Sequence, residues 1–163
     1  NHIQCNLTPL FCEVQAAAAA NAHATLISPF VGRIYDWHKK NFKLKSTYKQ
    51  DPGVESVKRI YEMYKQCNIK TIVMGASFRN VNQIISLAGC DRLTISPSLL
   101  QELSNSDFLV KPILVEKLNR KLDNVTQSDF LLSMAKNPMA TEKLSEGITK
   151  FIEDQEKLEK LLQ

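Results

Sequence analysis

The chain has 163 residues, 44% apolar and 23% charged, with 5 Gly and 6 Pro. That composition suits one globular domain with a buried core and excludes a disordered, collagen-like or low-complexity chain. Lys and Arg outnumber Asp and Glu by 21 to 17, a net charge of +4 that is compatible with anionic ligands. No stretch reaches the ~18 uncharged apolar residues of a membrane span. The length also falls short of a complete (β/α)₈ barrel, which needs roughly 200–250 residues.

In chain order, four β-rich runs are each followed by a helical pattern. The first strand is predicted over residues 3–7, bounded by Thr8-Pro9, with a helix over 10–22. The second covers 24–27 and ends in Ser28-Pro29, and the helix over 30–41 keeps Phe30, Ile34 and Trp37 on one face. Residues 43–50 read as a polar loop. Asp51-Pro52 places an N-cap carboxylate before a proline at the first helical position, opening an amphipathic helix to about Cys67. The third strand is expected over 70–74 and its helix over 81–88, stopped by Gly89. The fourth is expected over 92–95, ending in Ser96-Pro97, with a helix to about Leu103. Residues 104–122 mix both signals and read as an excursion. A short helix over 126–135 and a long one from Asn137-Pro138 towards Leu162 complete the chain. The long helix keeps Leu144, Ile148, Phe151, Leu158 and Leu162 on one face, expected to pack back on the domain; a coiled-coil seam would look the same.

Four strand–helix alternations imply a parallel β/α architecture, because parallel neighbours require a crossover. Leu26-Ile27-Ser28-Pro29 and Thr94-Ile95-Ser96-Pro97 lie two units apart and read as one device, a strand ending on Ser with Pro opening a helix. Such a repeat suits a TIM-type barrel, of which four units are half. Ligands of β/α folds bind beyond the C-terminal strand ends. Standing there are Asn6 and Thr8, then Ser28, Phe30 and Arg33, then Ser77 and Arg79, then Ser96. Arginine forks, short hydroxyls and helix N-termini suit a phosphorylated small molecule. Plainer readings stay open: Ser28 and Ser96 as N-caps, Arg33 paired with Asp36 one turn on, Arg79 as a surface cation, and Asn6 and Thr8 as turn residues.

What the strand ends lack is also informative. None carries Asp, Glu or Lys; Lys70 begins its strand and Asp91 precedes one. His2, His23 and His38 pair with no nucleophile, and no metal-ligand spacing, P-loop or GxGxxG occurs. Cys5, Cys12, Cys67 and Cys90 are scattered, so a reducing compartment is expected. Cys5 and Cys90 sit among apolar residues and read as small hydrophobes. The basic run from His38 to Lys45 has no accompanying recognition motif, so no nucleic-acid partner is expected. The chain opens at Asn1 on a strand-like segment, and reads as beginning in mid-protein.

Asn6-Leu7-Thr8, Leu26-Ile27-Ser28-Pro29-Phe30-Val31-Gly32-Arg33, Asp36-Trp37, Asp51-Pro52-Gly53-Val54, Met74-Gly75-Ala76-Ser77-Phe78-Arg79-Asn80 and Leu87-Ala88-Gly89-Cys90-Asp91-Arg92-Leu93-Thr94-Ile95 together resemble transaldolase. Asp154-Gln155-Glu156-Lys157-Leu158-Glu159 resembles that family's C-terminal helix. The likeness runs in order along nearly the whole chain and resembles the second half of such an enzyme. It implies a cytoplasmic β/α-barrel enzyme of the pentose phosphate pathway. A lysine Schiff base would carry a three-carbon dihydroxyacetone unit from sedoheptulose 7-phosphate to glyceraldehyde 3-phosphate, without metal or organic cofactor. By the same resemblance Arg33, Ser77 and Arg79 hold the substrate phosphate, Asn6 and Ser28 bond the sugar, Thr8 orders a water and Phe30 lines the pocket.

The family's lysine and acidic residues fall before Asn1, so the isolated chain is expected to bind sugar phosphates without turning them over. The alternative is a non-enzymatic sugar-phosphate-binding half-barrel. Residues 1–163 are expected to form one half-barrel domain, with 126–163 as a helical extension. Its edge strands would be covered by self-association or by a missing N-terminal half. Two departures, His23 where the family usually has glycine and Cys12-Glu13-Val14 where it has a serine–aromatic sequence, are expected to touch helix packing rather than chemistry.

Overall fold

A computed structural model describes residues 3–42, 51–107, 109–113 and 118–162. The predicted polar loop over 43–50, and parts of the excursion, lie outside the described residues. Four parallel strands form one sheet in the order β1-β2-β3-β4: β1 Asn6–Leu10, β2 Leu26–Pro29, β3 Ile72–Gly75 and β4 Arg92–Leu93. Strands consecutive in sequence are neighbours in space, so each connection is a β-α-β crossover. This is the predicted parallel β/α architecture, four strands wide.

The first three strands begin two or three residues later than the sequence pattern suggests. Prolines misplaced the first two: Pro9 lies inside β1 and Pro29 ends β2, although both read as terminators. Register between β1 and β2 shifts between Leu7 and Leu10, and Pro29 faces Leu10 just past that irregularity. A residue without an N–H is tolerated where the ladder is already broken. The fourth strand is only two residues long, half its expected length. Thr94 extends its pairing by one bond, its N–H donating to the Gly75 carbonyl.

Helices cover the sheet: α1 Glu13–Asn21, α2 Val31–Phe42, α3 Pro52–Gln66, α4 Val81–Ile85 and α5 Pro97–Ser104. In α3 the Asp51 side chain accepts from the N–H groups of Gly53 and Val54, as its place before Pro52 predicts. Val54, Val57, Ile60, Tyr61 and Tyr64 turn inward from α3 onto Ile27 and Val73 of the sheet. The Tyr64 hydroxyl donates to the Ala16 carbonyl at 2.6 Å, tying α3 to the alanine-rich α1 without stranding a buried polar group. Each large aliphatic buried in this layer stabilises the fold by about 1.5–3 kcal/mol.

A second core joins Phe11, Cys12, Ile34 and Trp37 to Met134, Met139 and Ala140 of α6 Gln127–Ala135 and α7 Pro138–Leu161. Cys12 is buried there, its thiol 3.7 Å from the Met134 sulfur and 3.4 Å from Gln15 Oε1, so the Cys12 departure does fall on helix packing. His23 has φ 55, the left-handed region that glycine occupies without strain. Cys5 is exposed, against its reading as a small buried hydrophobe, because β1 is an edge strand; Cys90 does pack against the core.

The long helix packs back only in part. Met139, Ala140 and Gly147 are buried, whereas Ile148, Phe151, Leu158 and Leu162 are exposed at 47%, 43%, 49% and 79%. The expected apolar face exists, but among the described residues nothing covers its C-terminal half. No helix of the described residues is long and apolar enough to cross a membrane.

Candidate functional site

The β2 and β3 ends are joined by α2's first turn. Beyond Pro29, Phe30 bridges to Ala76, and the N–H groups of Val31 and Gly32 donate to the carbonyls of Ala76 and Ser77 at 2.9 and 2.7 Å. Gly32 is required by this close approach: a Cβ there would stand 2.1 Å from the Ser77 carbonyl oxygen and 2.8 Å from Arg79 Nη1. Ser77 itself has φ 63, a left-handed non-glycine residue that turns the chain directly after β3. Strained backbone of this sort costs about 1–3 kcal/mol and persists where its surroundings fix it.

Around that turn six of the predicted residues fall into three pairs, and Thr8 stands apart. Ser28, 3% exposed, donates from Oγ to Asn6 Oδ1 at 2.8 Å, joining the β1 and β2 ends. Arg79 Nη1 lies 3.3 Å from both the carbonyl and the Oγ of Ser77. The Arg33 guanidinium sits 4.9 Å over the Phe30 ring, a cation–π contact, and Phe30 packs edge-on against Phe11. Thr8 stands exposed on β1, next to Pro9, with no side-chain hydrogen bond of its own among the described residues.

Arg33 Nη1 is buried without a hydrogen-bond partner. It borders the point where α7 crosses β1, since a Cβ on Gly147 would lie 3.3 Å from it and 3.1 Å from Pro9 Cγ. An unsatisfied guanidinium N–H costs free energy that an anion's oxygen would recover.

The open alternatives separate. Ser28 is not an N-cap: it lies within β2 and bonds Asn6. Ser96 is one, its side chain accepting from the Leu99 N–H at 3.5 Å. Arg33 makes no pair with Asp36. The Asp36 carboxylate instead holds Arg79, at 2.8 Å from Nη2 and 2.9 Å from Nε, in an exposed pair, so Arg79 is a surface cation with a fixed partner. A carboxylate does reach the strand ends, from a helix rather than a strand.

Asp36, which the sequence reading paired with Arg33, and two residues it passed over position this corner. Asp36 is one turn beyond Gly32, and this i,i+4 spacing puts it over the gap the glycine leaves for Arg79. Gln83, 2% exposed, accepts from the Arg79 N–H at 2.8 Å and donates to Asp51 Oδ2 at 2.8 Å, linking the β3 loop to the α3 cap. Gly147 brings α7 against Arg33. Only the Gly32–Asp36 spacing was visible as a signal in the sequence.

Among the described residues no group of three or more His, Cys, Asp or Glu could hold a metal ion. Among the described residues no lysine stands at the C-terminal end of a strand. Lys143 on α7, partly buried, is held by Glu146 at 2.6 Å, and that hydrogen bond raises its pKa. An imine-forming lysine needs the opposite shift.

The sequence matches the Transaldolase/Fructose-6-phosphate aldolase family over residues 1–162. It is 55% identical to Transaldolase B of Pasteurella multocida (strain Pm70), over 98% of this chain and 52% of that protein. It is likewise 55% identical to a transaldolase of Hamiltonella defensa, and 51% identical to one of Methylobacillus flagellatus, covering 51% of each. The chain spans about half the length of the curated relatives it matches. A parallel β/α sheet, arginines and hydroxyls at its strand ends and a match along nearly every residue agree: the chain belongs to the transaldolase/fructose-6-phosphate aldolase family.

Proposed function

We propose that this chain is the C-terminal half of a transaldolase-type barrel and supplies the groups that hold a sugar phosphate. The observation that carries the reading is the buried, unpartnered Arg33 Nη1 beside Phe30, on the same helix turn that seats Ser77 and Arg79. In this reading Arg33, Ser77 and Arg79 bind the phosphate, and Asp36 keeps the Arg79 fork in place until the anion arrives. Ser28 and Asn6 bond the sugar hydroxyls, Phe30 walls the pocket, and Thr8 orders a water.

The reaction proposed is transfer of a three-carbon dihydroxyacetone unit between sugar phosphates in the pentose phosphate pathway. Its electron sink would be a protonated imine on a lysine outside residues 1–163, so no cofactor is called on. Residues 1–163 by themselves would bind and not turn over, because removing the covalent nucleophile removes the mechanism.

The test is a titration with fructose 6-phosphate followed by calorimetry. Saturable binding that falls at least tenfold in both Arg33→Ala and Arg79→Ala is expected, since each removes charge-assisted hydrogen bonds. Binding indifferent to both substitutions would overturn the assignment. The second reading, a sugar-phosphate-binding half-barrel with no enzymatic parent, draws on the absence of a strand-end lysine among the described residues. Aldol transfer by the full-length protein would exclude it.

A further inference from the structure

The opposite end of the sheet holds a second basic cleft. The turns entering β2 and β3, together with residues 119–122 and Asn124, line an open cleft of about 930 Å³. That lies within the roughly 300–1,000 Å³ of small-molecule sites. Lys70, Arg120, Lys121 and His23 line it, with Asn21, Asn68, Asn119 and Asn124, and no Asp or Glu does. None of the four basic side chains takes part in an ion pair among the described residues. The nearby carboxylate of Asp91 is already taken, by Lys65 at 2.6 Å and by the Val73 N–H at 3.0 Å.

The cleft is also built rather than incidental. His23, Asn68 and Asn119 all adopt left-handed backbone, with φ 55, 54 and 46. The Arg120 N–H donates to the Gln66 carbonyl at 2.9 Å, pinning the 119–124 segment to the end of α3. Lys70, Arg120 and Lys121 carry like charge, and Asp123, though on the same segment, does not line the cleft beside them, so a bound anion would offset their repulsion.

We propose that this cleft binds a phosphorylated small molecule, at a site separate from the strand-end corner. The cleft residues precede β2 and β3, whereas Ser28, Arg33, Ser77 and Arg79 lie at or beyond their other ends. Four residues of strand put the two sites roughly 13 Å or more apart. The site does not depend on the aldol-transfer reading.

Inorganic pyrophosphate is the probe, titrated into the full chain and followed by amide chemical shifts. Saturating shifts are expected at residues 23–25, 67–71 and 119–122. Replacing two exposed residues together, Arg120→Gln with Lys121→Gln, should weaken them about tenfold or more while leaving fructose 6-phosphate binding unchanged. Arg79→Ala should leave the cleft shifts intact. Shifts that never saturate, that ignore the double substitution or that appear only at residues 77–79 would overturn the proposal. So would binding of a single-stranded oligonucleotide with none of pyrophosphate.

Discussion

Ser28-Pro29 and Ser96-Pro97 share their sequence and differ in structure. After Leu26-Ile27, Ser28 stays in a strand flanked on both sides, and the Pro29 carbonyl still accepts from the Ala76 N–H at 3.1 Å. After Thr94-Ile95 the edge strand has already ended at Leu93, so Ser96 is free to cap α5 and Pro97 opens it. One motif thus became a buried hydroxyl bonded to Asn6 in the middle of the sheet and a solvent-exposed cap at its edge. Neighbouring strands, not the motif, decide whether the serine caps or faces the site.

The widest test of that contrast is Gly32→Ala, which crowds only the central strand ends. A Cβ 2.1 Å from the Ser77 carbonyl oxygen must push α2 off β3, for a loss of about 3 kcal/mol in urea unfolding. A loss under about 1 kcal/mol would mean that the corner is as loose as the β4 end. Gln83→Ala comes next. It leaves the Arg79 N–H and Asp51 Oδ2 without their partner and should cost about 1–3 kcal/mol, with fructose 6-phosphate affinity falling alongside.

The paired serines follow. Ser28→Ala should cost about 1 kcal/mol and weaken sugar-phosphate binding, since Asn6 loses its donor. Ser96→Ala should cost about 0.5 kcal/mol through its long cap bond and leave binding unchanged. Equal effects of the two on affinity would erase the distinction.

A pH dependence is expected where β4 begins. Burial, with a further push from the Asp91 carboxylate, raises the Cys90 thiol to about 12. The unfolded thiol ionises near 9 and the folded one does not, so the contribution is complete below about pH 8 and is lost as pH rises above about 9. Tyr64, raised by burial, adds a loss of the same sign at higher pH. Urea midpoints should therefore fall between about pH 8 and pH 10, and fall less in Cys90→Ala. An unchanged slope in that variant would place the effect elsewhere.

The alternation of strands and helices and the α3 cap were legible because periodicity and Asp51-Pro52 are local signals. The candidate residues at the strand ends were legible for the same reason, and through the family resemblance. Strand positions were not, because Pro9 and Pro29 sit where a ladder irregularity makes a missing N–H harmless, which a sequence does not display. The Arg79–Asp36 pair was hidden by a 43-residue separation, and the nearer Arg33 offered a false partner. The exposed end of α7 was misjudged because an apolar stripe marks a face to be covered without saying what covers it.

Borohydride reduction of the full-length protein in the presence of fructose 6-phosphate, followed by peptide mapping, tests the central claim most directly. That claim is the proposal that residues 1–163 hold the phosphate and the sugar while the reacting lysine lies outside them. The account predicts a reduced sugar adduct on a lysine outside this sequence, lost or slowed in Arg79→Ala. An adduct on any lysine within residues 1–163 would contradict it.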